Sequence, residues 1–119
     1  MFLSAVDPVT PTATFERGFR MLHHSDSWGT AAVSRRIEAF RAMPNGALHA
    51  LPAHQDEELP EPSGASVITS HEVRGEVHFV VVQAWFRGVA FSRVVAQDGF
   101  AIDADVRRAL SPNEWERFA

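Results

Sequence analysis

The chain has 119 residues, a length that fits a single domain over residues 1–119 with room for a hydrophobic core. Its composition, 45% hydrophobic and 22% charged, is that of ordinary globular proteins, and the absence of cysteine excludes disulfides, thiolate zinc sites and cysteine nucleophiles. No segment has the roughly 20 apolar residues of a membrane span. The first residues also lack the basic lead of a signal peptide, so we expect a cytoplasmic protein without membrane contact.

The charge is concentrated in one segment. The net charge is −4, and Asp56, Glu57, Glu58 and Glu61 account for it, because the other acidic residues equal the arginines in number. Lysine and tyrosine are absent, which excludes Schiff-base lysines and tyrosine acids. A body without net charge does not attract a phosphate backbone, so nucleic-acid binding is disfavoured.

The N-terminal part predicts a helical layer over residues 11–43. Apolar residues recur at helical spacing over 12–23 and again over 27–42, with arginines mostly off the apolar stripe. The Pro-Asn-Gly sequence at 44–46 ends the second helix, because the residue before proline is steered out of the helical region. Residues 47–51 are a candidate edge strand that Pro52 terminates.

Two further segments flank the centre of the chain. Residues 54–66 hold three consecutive acids, two prolines and a glycine, which predicts a solvated, flexible loop. Near the C-terminus, residues 105–110 are a helical candidate, and Ser111-Pro112-Asn113-Glu114 has the form of a capping box with proline at the first helical position. We therefore expect a helical segment over 105–118.

Between residues 67 and 103 the chain alternates strand-forming runs with dipeptides that end in glycine: Arg74-Gly75, Arg87-Gly88 and Asp98-Gly99. This pattern predicts a four-stranded antiparallel meander. Both faces of the long strand 77–86 are apolar, so both need cover. The helices cover one face, and we expect either a second copy of the chain or the N-terminal arm with the C-terminal helix to cover the other.

A polar row lies on one face of the predicted sheet. Two-residue turns would set His71 opposite His78 and His78 opposite Gln97, with Glu76 one step away. Structural or surface histidines are the simplest interpretation. A pocket in which His71 or His78 acts as a base and Gln97 orients a carbonyl is the catalytic alternative. A metal site of His71, His78 and Glu76 is a weaker one, and we expect no cofactor.

Charged surfaces point to a protein partner. Arg35, Arg36 and Arg41 lie on the outer side of the second predicted helix, where guanidinium groups can pair with carboxylates. The acidic segment is the natural complement of a basic partner, and its four carboxylates are Asp56, Glu57, Glu58 and Glu61. The competing interpretation is that both are merely solvated surfaces.

These elements predict an α+β fold in which two N-terminal helices pack on one face of the four-stranded meander and a short helix follows it. The layout is similar to cone-shaped domains of the nuclear-transport-factor-2 type, a resemblance that implies a pocket between helices and sheet. Lined by the predicted histidines, such a pocket would bind a small molecule or support an isomerase- or lyase-like reaction. Many small accessory and inhibitor proteins have a similar layering without a pocket. Because no acid/base constellation is convincing, we expect a non-catalytic, protein-binding accessory protein of bacterial or phage origin, such as an inhibitor, immunity or anti-defence protein. Homodimers would form through the second sheet face.

Overall fold

The computed structural model describes residues 26–118, and the predicted helix over 12–23 lies outside them. The described chain is α+β, with one open, antiparallel, five-stranded sheet and three helices. The helices are α1 (Ser27–Arg41), α2 (Asn45–His49) and α3 (Pro112–Glu116). The strands are β1 (His54–Glu58), β2 (Ala65–Arg74), β3 (Val77–Arg87), β4 (Ser92–Asp103) and β5 (Val106–Arg108).

Helix α1 confirms the helix predicted over 27–42. It buries one apolar stripe against the sheet, formed by Ala32, Val33, Ile37 and Phe40. These residues recur every three or four positions, as one face of a helix requires. Burying each of the larger side chains contributes roughly 1.5–3 kcal/mol, which holds α1 on the sheet.

The short strand predicted over 47–51 is wrong, because this segment forms helix α2. Pro44 has the extended conformation of a residue that precedes a helix, and its carbonyl accepts hydrogen bonds from the amides of Ala47 and Leu48. Leu48 is fully buried in the core under α1. Helix α2 therefore holds the chain over one end of the sheet.

The flexible loop predicted over 54–66 is also wrong in its first half. Residues His54–Glu58 form strand β1, which pairs antiparallel with Ser66–Ser70 of β2. Every residue of β1 is exposed, so the strand has no buried apolar face and its composition resembles that of a loop. Backbone hydrogen bonds to β2 make it a strand.

The sheet has five strands, in the order β1-β2-β3-β4-β5, where four were expected. The fifth strand, β5, replaces the helix predicted over 105–110. It follows a two-residue turn in which Ala104 and Asp105 have φ of 51° and 66°. Two successive positive φ angles are what a type I′ hairpin needs, so the turn occurs without the preferred glycine.

The three predicted turns have different outcomes. The first hairpin turns at Gly75-Glu76, one residue later than predicted, with Gly75 at φ 61°. The second is a four-residue loop over 88–91. Asp98-Gly99 is not a turn, because β4 runs straight through it and a Cβ on Gly99 would lie 2.5 Å from the Val80 carbonyl oxygen. Glycine there allows two central strands to approach closely.

The sheet has an apolar core on each side. The helix face is the side on which α1 packs, and its core includes Val67, Val80, Val82 and Phe100. The terminal face is the other side. There the C-terminal segment packs over the sheet and completes a second, smaller core, formed by Phe79, Val81, Ala101 and Leu110 together with the partly buried Val77, Trp115 and Phe118. Of the two alternatives expected for this face, the structure thus shows cover by the C-terminal segment over part of it, while the N-terminal arm lies outside the described residues.

Candidate functional site

His71 and His78 meet on the helix face, although not as directly opposed residues. The register sets His71 opposite Val80 and Val73 opposite His78. The turn lies one residue later than predicted, so the residue opposite His71 is Val80 instead of His78, a change of two positions. A shift by two positions keeps both histidines on the predicted face and makes them diagonal neighbours. Their rings lie within 18° of parallel, and His71 Nε2 is 2.9 Å from His78 Nδ1.

The hydrogen bonds of this pair define the tautomer of each neutral ring. His71 Nδ1 lies 2.8 Å from the carbonyl oxygen of Leu51, which can only accept, so Nδ1 carries the proton. His71 Nε2 is then an acceptor, and His78 Nδ1 donates to it. This leaves the lone pair of His78 on Nε2, at the end of a chain of two imidazoles and one backbone carbonyl.

A third histidine, His49, joins the pair and was missed in the sequence. It lies at the end of α2, a segment predicted to be a strand, and its ring stacks on His78 at 3.9 Å between centroids. Burial lowers the pKa of His78 below its usual 6.5, and the nearby His49 and His71 lower it further. We call these three residues, His49, His71 and His78, the histidine cluster.

Two residues assigned to this site lie elsewhere. Gln97 is on the terminal face, where its Oε1 accepts from Gln83 Nε2 at 3.0 Å. A β-bulge at Val95, where the pairing steps from Trp85–Val94 to Ala84–Ala96, shifts the register by one residue and reverses the face of the residues that follow it in β4. Glu76 is exposed in the first hairpin turn. Within residues 26–118 no group of three or more histidine or acidic side chains is arranged to hold a metal ion.

The acidic residues form an ordered edge of the sheet. No residue of 26–118 pairs with the outer side of β1. The amide of His71 donates to Ala53 and that of Leu59 donates to Ala65, so alternate residues between them bond inward to β2. By this alternation His54, Asp56 and Glu58 direct their amides and carbonyls outward. We call β1 with this unpaired outer side the acidic edge.

Two arginines partly neutralise the acidic edge. Arg36 of α1 forms an ion pair with Glu57 and donates to Thr69 Oγ1 at 3.1 Å. Arg87 lies 3.4 Å from Asp56. Glu58 has no ion pair among the described residues, so the edge keeps an excess of negative charge.

The remaining predicted partner-binding residues are divided between different parts of the surface. Arg35 and Arg36 line a cleft of about 310 Å³ between α1 and β1, with Glu57 on its other side. Arg41 lies at the far end of α1, beside a different cleft that Phe100 and Arg107 line. Glu61 is exposed in the loop after β1. The structure therefore joins Arg35 and Arg36 to the acidic edge but not Arg41.

No protein-family model matches the chain, and no match is found among curated proteins or solved structures. Within residues 26–118, no helix has the length and apolar character needed to cross a membrane.

Proposed function

We propose that this chain is a non-catalytic, protein-binding accessory protein of the cytoplasm, of the inhibitor, immunity or anti-defence type. The observation that supports it best is the acidic edge, a strand whose five residues are all exposed. Natural sheets tend to protect edge strands by covering or twisting them, and charged residues prevent unwanted pairing. An ordered, accessible and charged edge is also a surface that a complementary partner can recognise.

The charge of the edge indicates the chemistry of that partner. Carboxylates at Asp56 and Glu58 lie two residues apart on the same side of β1. A partner with arginine or lysine side chains would replace the weak contact of Asp56 with Arg87 and give Glu58 a cation. Complementary charges raise the association rate and select against acidic partners.

A charge-neutral variant tests this proposal. Asp56→Asn with Glu58→Gln should weaken binding of a cationic peptide about tenfold or more and should reduce the salt dependence of binding. Glu38→Gln with Glu116→Gln removes the same charge from exposed sites on α1 and α3 and is the matched control. Equal loss of affinity in both variants would show that only the overall charge matters and would reject the acidic edge as the site.

A second candidate function rests on the histidine cluster. The hydrogen-bond chain leaves His78 Nε2 free to accept a proton, as a general base in a small-molecule site would. Gln97, expected to orient a carbonyl, does not contribute, because it lies on the opposite face. A histidine NMR titration in the presence of candidate carbonyl ligands tests this function, and a lack of any ligand-dependent shift of His78 would reject it.

Self-association through the terminal face remains a separate proposal. The part of this face that includes Trp85 and Val94 is only partly buried, with Val94 36% exposed. Light scattering of the full chain would give the mass of a dimer if this surface pairs with a second copy. A monomer mass at high micromolar concentration would reject it.

A further inference from the structure

We propose that the partner contributes an extended, cationic segment that pairs with β1 as a sixth strand of the sheet. This inference rests on the proposed function and specifies how the partner binds. Backbone hydrogen bonds join the segment to β1, and its side chains determine which sequences bind.

The unpaired backbone groups provide the first argument. His54, Asp56 and Glu58 direct both their amides and their carbonyls away from β2. An added strand would accept from and donate to these groups at every second residue. Strand addition of this kind is a common way for a sheet edge to bind a peptide.

The acidic side chains disfavour a second copy of this chain as the added strand. Antiparallel pairing of β1 with β1 of another copy, centred on Asp56, would bring carboxylates of both chains together. Directly opposed like charges destabilise a strand pair. The edge therefore disfavours self-pairing and favours a segment of opposite charge.

The two sides of β1 differ, and this predicts an alternating pattern in the partner. His54, Asp56 and Glu58 form one row on the terminal face. Asp56 lies opposite Ile68 of β2, which lies opposite Gln83 of that face. A segment with arginine at every second position would place these arginines beside the two carboxylates.

On the helix face the requirement is different. Gln55 and Glu57 lie on this side, and Arg36 already pairs with Glu57. A further cation there would be close to Arg36. The cleft beside Glu57 has an apolar wall formed by Leu59 and Val67, so apolar residues suit the positions between the arginines. We expect a partner segment in which arginine and a β-branched residue alternate.

The experiment compares two capped peptides of equal composition, one alternating (Arg-Val-Arg-Val-Arg-Val) and one in blocks (Arg-Arg-Arg-Val-Val-Val). We expect the alternating peptide to bind the full-length chain about tenfold more tightly, or about 1.4 kcal/mol, because only in this peptide do all arginines lie on the side of Asp56 and Glu58 and all valines on the side of the apolar wall. Binding should also slow amide hydrogen exchange at His54, Asp56 and Glu58, with no change at Gln55 and Glu57, which already bond to β2.

The other outcomes distinguish strand addition from recognition by charge alone. Equal affinity for both peptides, without slower exchange at His54, Asp56 and Glu58, would overturn strand addition and leave electrostatic recognition by the acidic edge intact. Slow exchange of these three amides in the free protein would show that the edge is already paired, which also overturns the inference. Failure of both peptides to bind would reject the proposed function itself.

Discussion

At the scale of single residues, the histidine cluster shows how burial and neighbouring rings act together. His78 has a lowered pKa because it is partly buried, with His49 stacked on it and His71 bonded to it. Because the pKa of His78 is lower in the folded state than in the unfolded state, folding favours the neutral imidazole. The stability it gives is present above pH 6.5 and decreases as the pH falls below that value.

Replacing His49 should therefore raise the pKa of His78. His49→Ala removes a stacked ring and a nearby positive charge, so His78 becomes more hydrated and less repelled. A histidine NMR titration should show the pKa of His78 closer to 6.5, and the loss of stability below that pH should be smaller. His54→Ala is the control, since His54 is exposed on β1 outside the cluster. An unchanged pKa of His78 in His49→Ala would contradict this geometry.

The close approach of the β3 backbone to Gly99 gives a second prediction for a single residue. Gly99→Ala places a Cβ 2.5 Å from the Val80 carbonyl oxygen and 3.1 Å from the Val81 Cα, both in the backbone of β3. We expect a loss of about 1–3 kcal/mol in the free energy of unfolding, measured with urea, because two central strands must separate. Gly46→Ala is the control, as nothing lies within 4 Å of its added Cβ and alanine favours helix α2 by up to about 1 kcal/mol. Equal stability of the two variants would contradict the close approach.

At the scale of elements, the last hairpin turns without glycine. Ala104 and Asp105 both adopt positive φ, which costs an alanine roughly 1–2 kcal/mol relative to a right-handed conformation and an aspartate less. Ala104→Asn with Asp105→Gly should raise the free energy of unfolding by about 1–2 kcal/mol in urea denaturation. Gly75→Ala is the opposite change at the first turn, where φ is 61° and no atom crowds the added Cβ, and it should lower stability. No gain in stability for Ala104→Asn with Asp105→Gly, or no loss for Gly75→Ala, would contradict these backbone angles.

Helix α3 is held by a capping box that was predicted from the sequence. Glu114 accepts from the Ser111 amide at 2.8 Å and also pairs with both terminal nitrogens of Arg108. The hydrogen bond from Arg108 is the main reason that the pKa of Glu114 falls from 4.5 to about 2. The stability contributed by this carboxylate is present above pH 4.5 and is lost as the pH falls towards 2.

Glu114→Gln should therefore destabilise the protein at neutral pH, and the difference from the wild type should shrink as the pH falls from 4.5 towards 2. The NMR signal of the Trp115 indole reports on the docking of α3 against the terminal face. Glu116→Gln removes an exposed acid from the same helix and should have little effect. A difference between Glu114→Gln and the wild type that persists unchanged at pH 2 would contradict the role of this carboxylate.

At the scale of the whole molecule, local signals predicted elements that have their own caps or periodicity. Helix α1 has a clear apolar stripe, and α3 has its capping box. The alternation of side chains in β2 and β3 also predicted that His71 and His78 share a face. This prediction is confirmed although the register differs by two positions, because an even shift leaves the faces unchanged. What these segments share is that their structure depends mainly on nearby residues.

Features that depend on distant contacts could not be predicted from the sequence. Asp98-Gly99 is a preferred turn dipeptide, yet it lies inside β4 because Gly99 packs against the backbone of β3. Strand β1 has no apolar face and becomes a strand only by pairing with β2. Gln97 moved to the terminal face because of a bulge that no local pattern marks.

Proline at position 56 tests most directly whether the acidic edge recognises its partner through the backbone as well as through charge. The Asp56 amide points outward, so Asp56→Pro removes a donor that the sheet does not use, and an edge strand tolerates proline at such a position. Asp56→Asn removes the same charge and keeps the amide. We predict that both variants fold with similar stability and that Asp56→Pro binds the alternating arginine-valine peptide about tenfold more weakly than Asp56→Asn. Equal affinity of two folded variants would contradict recognition through the backbone.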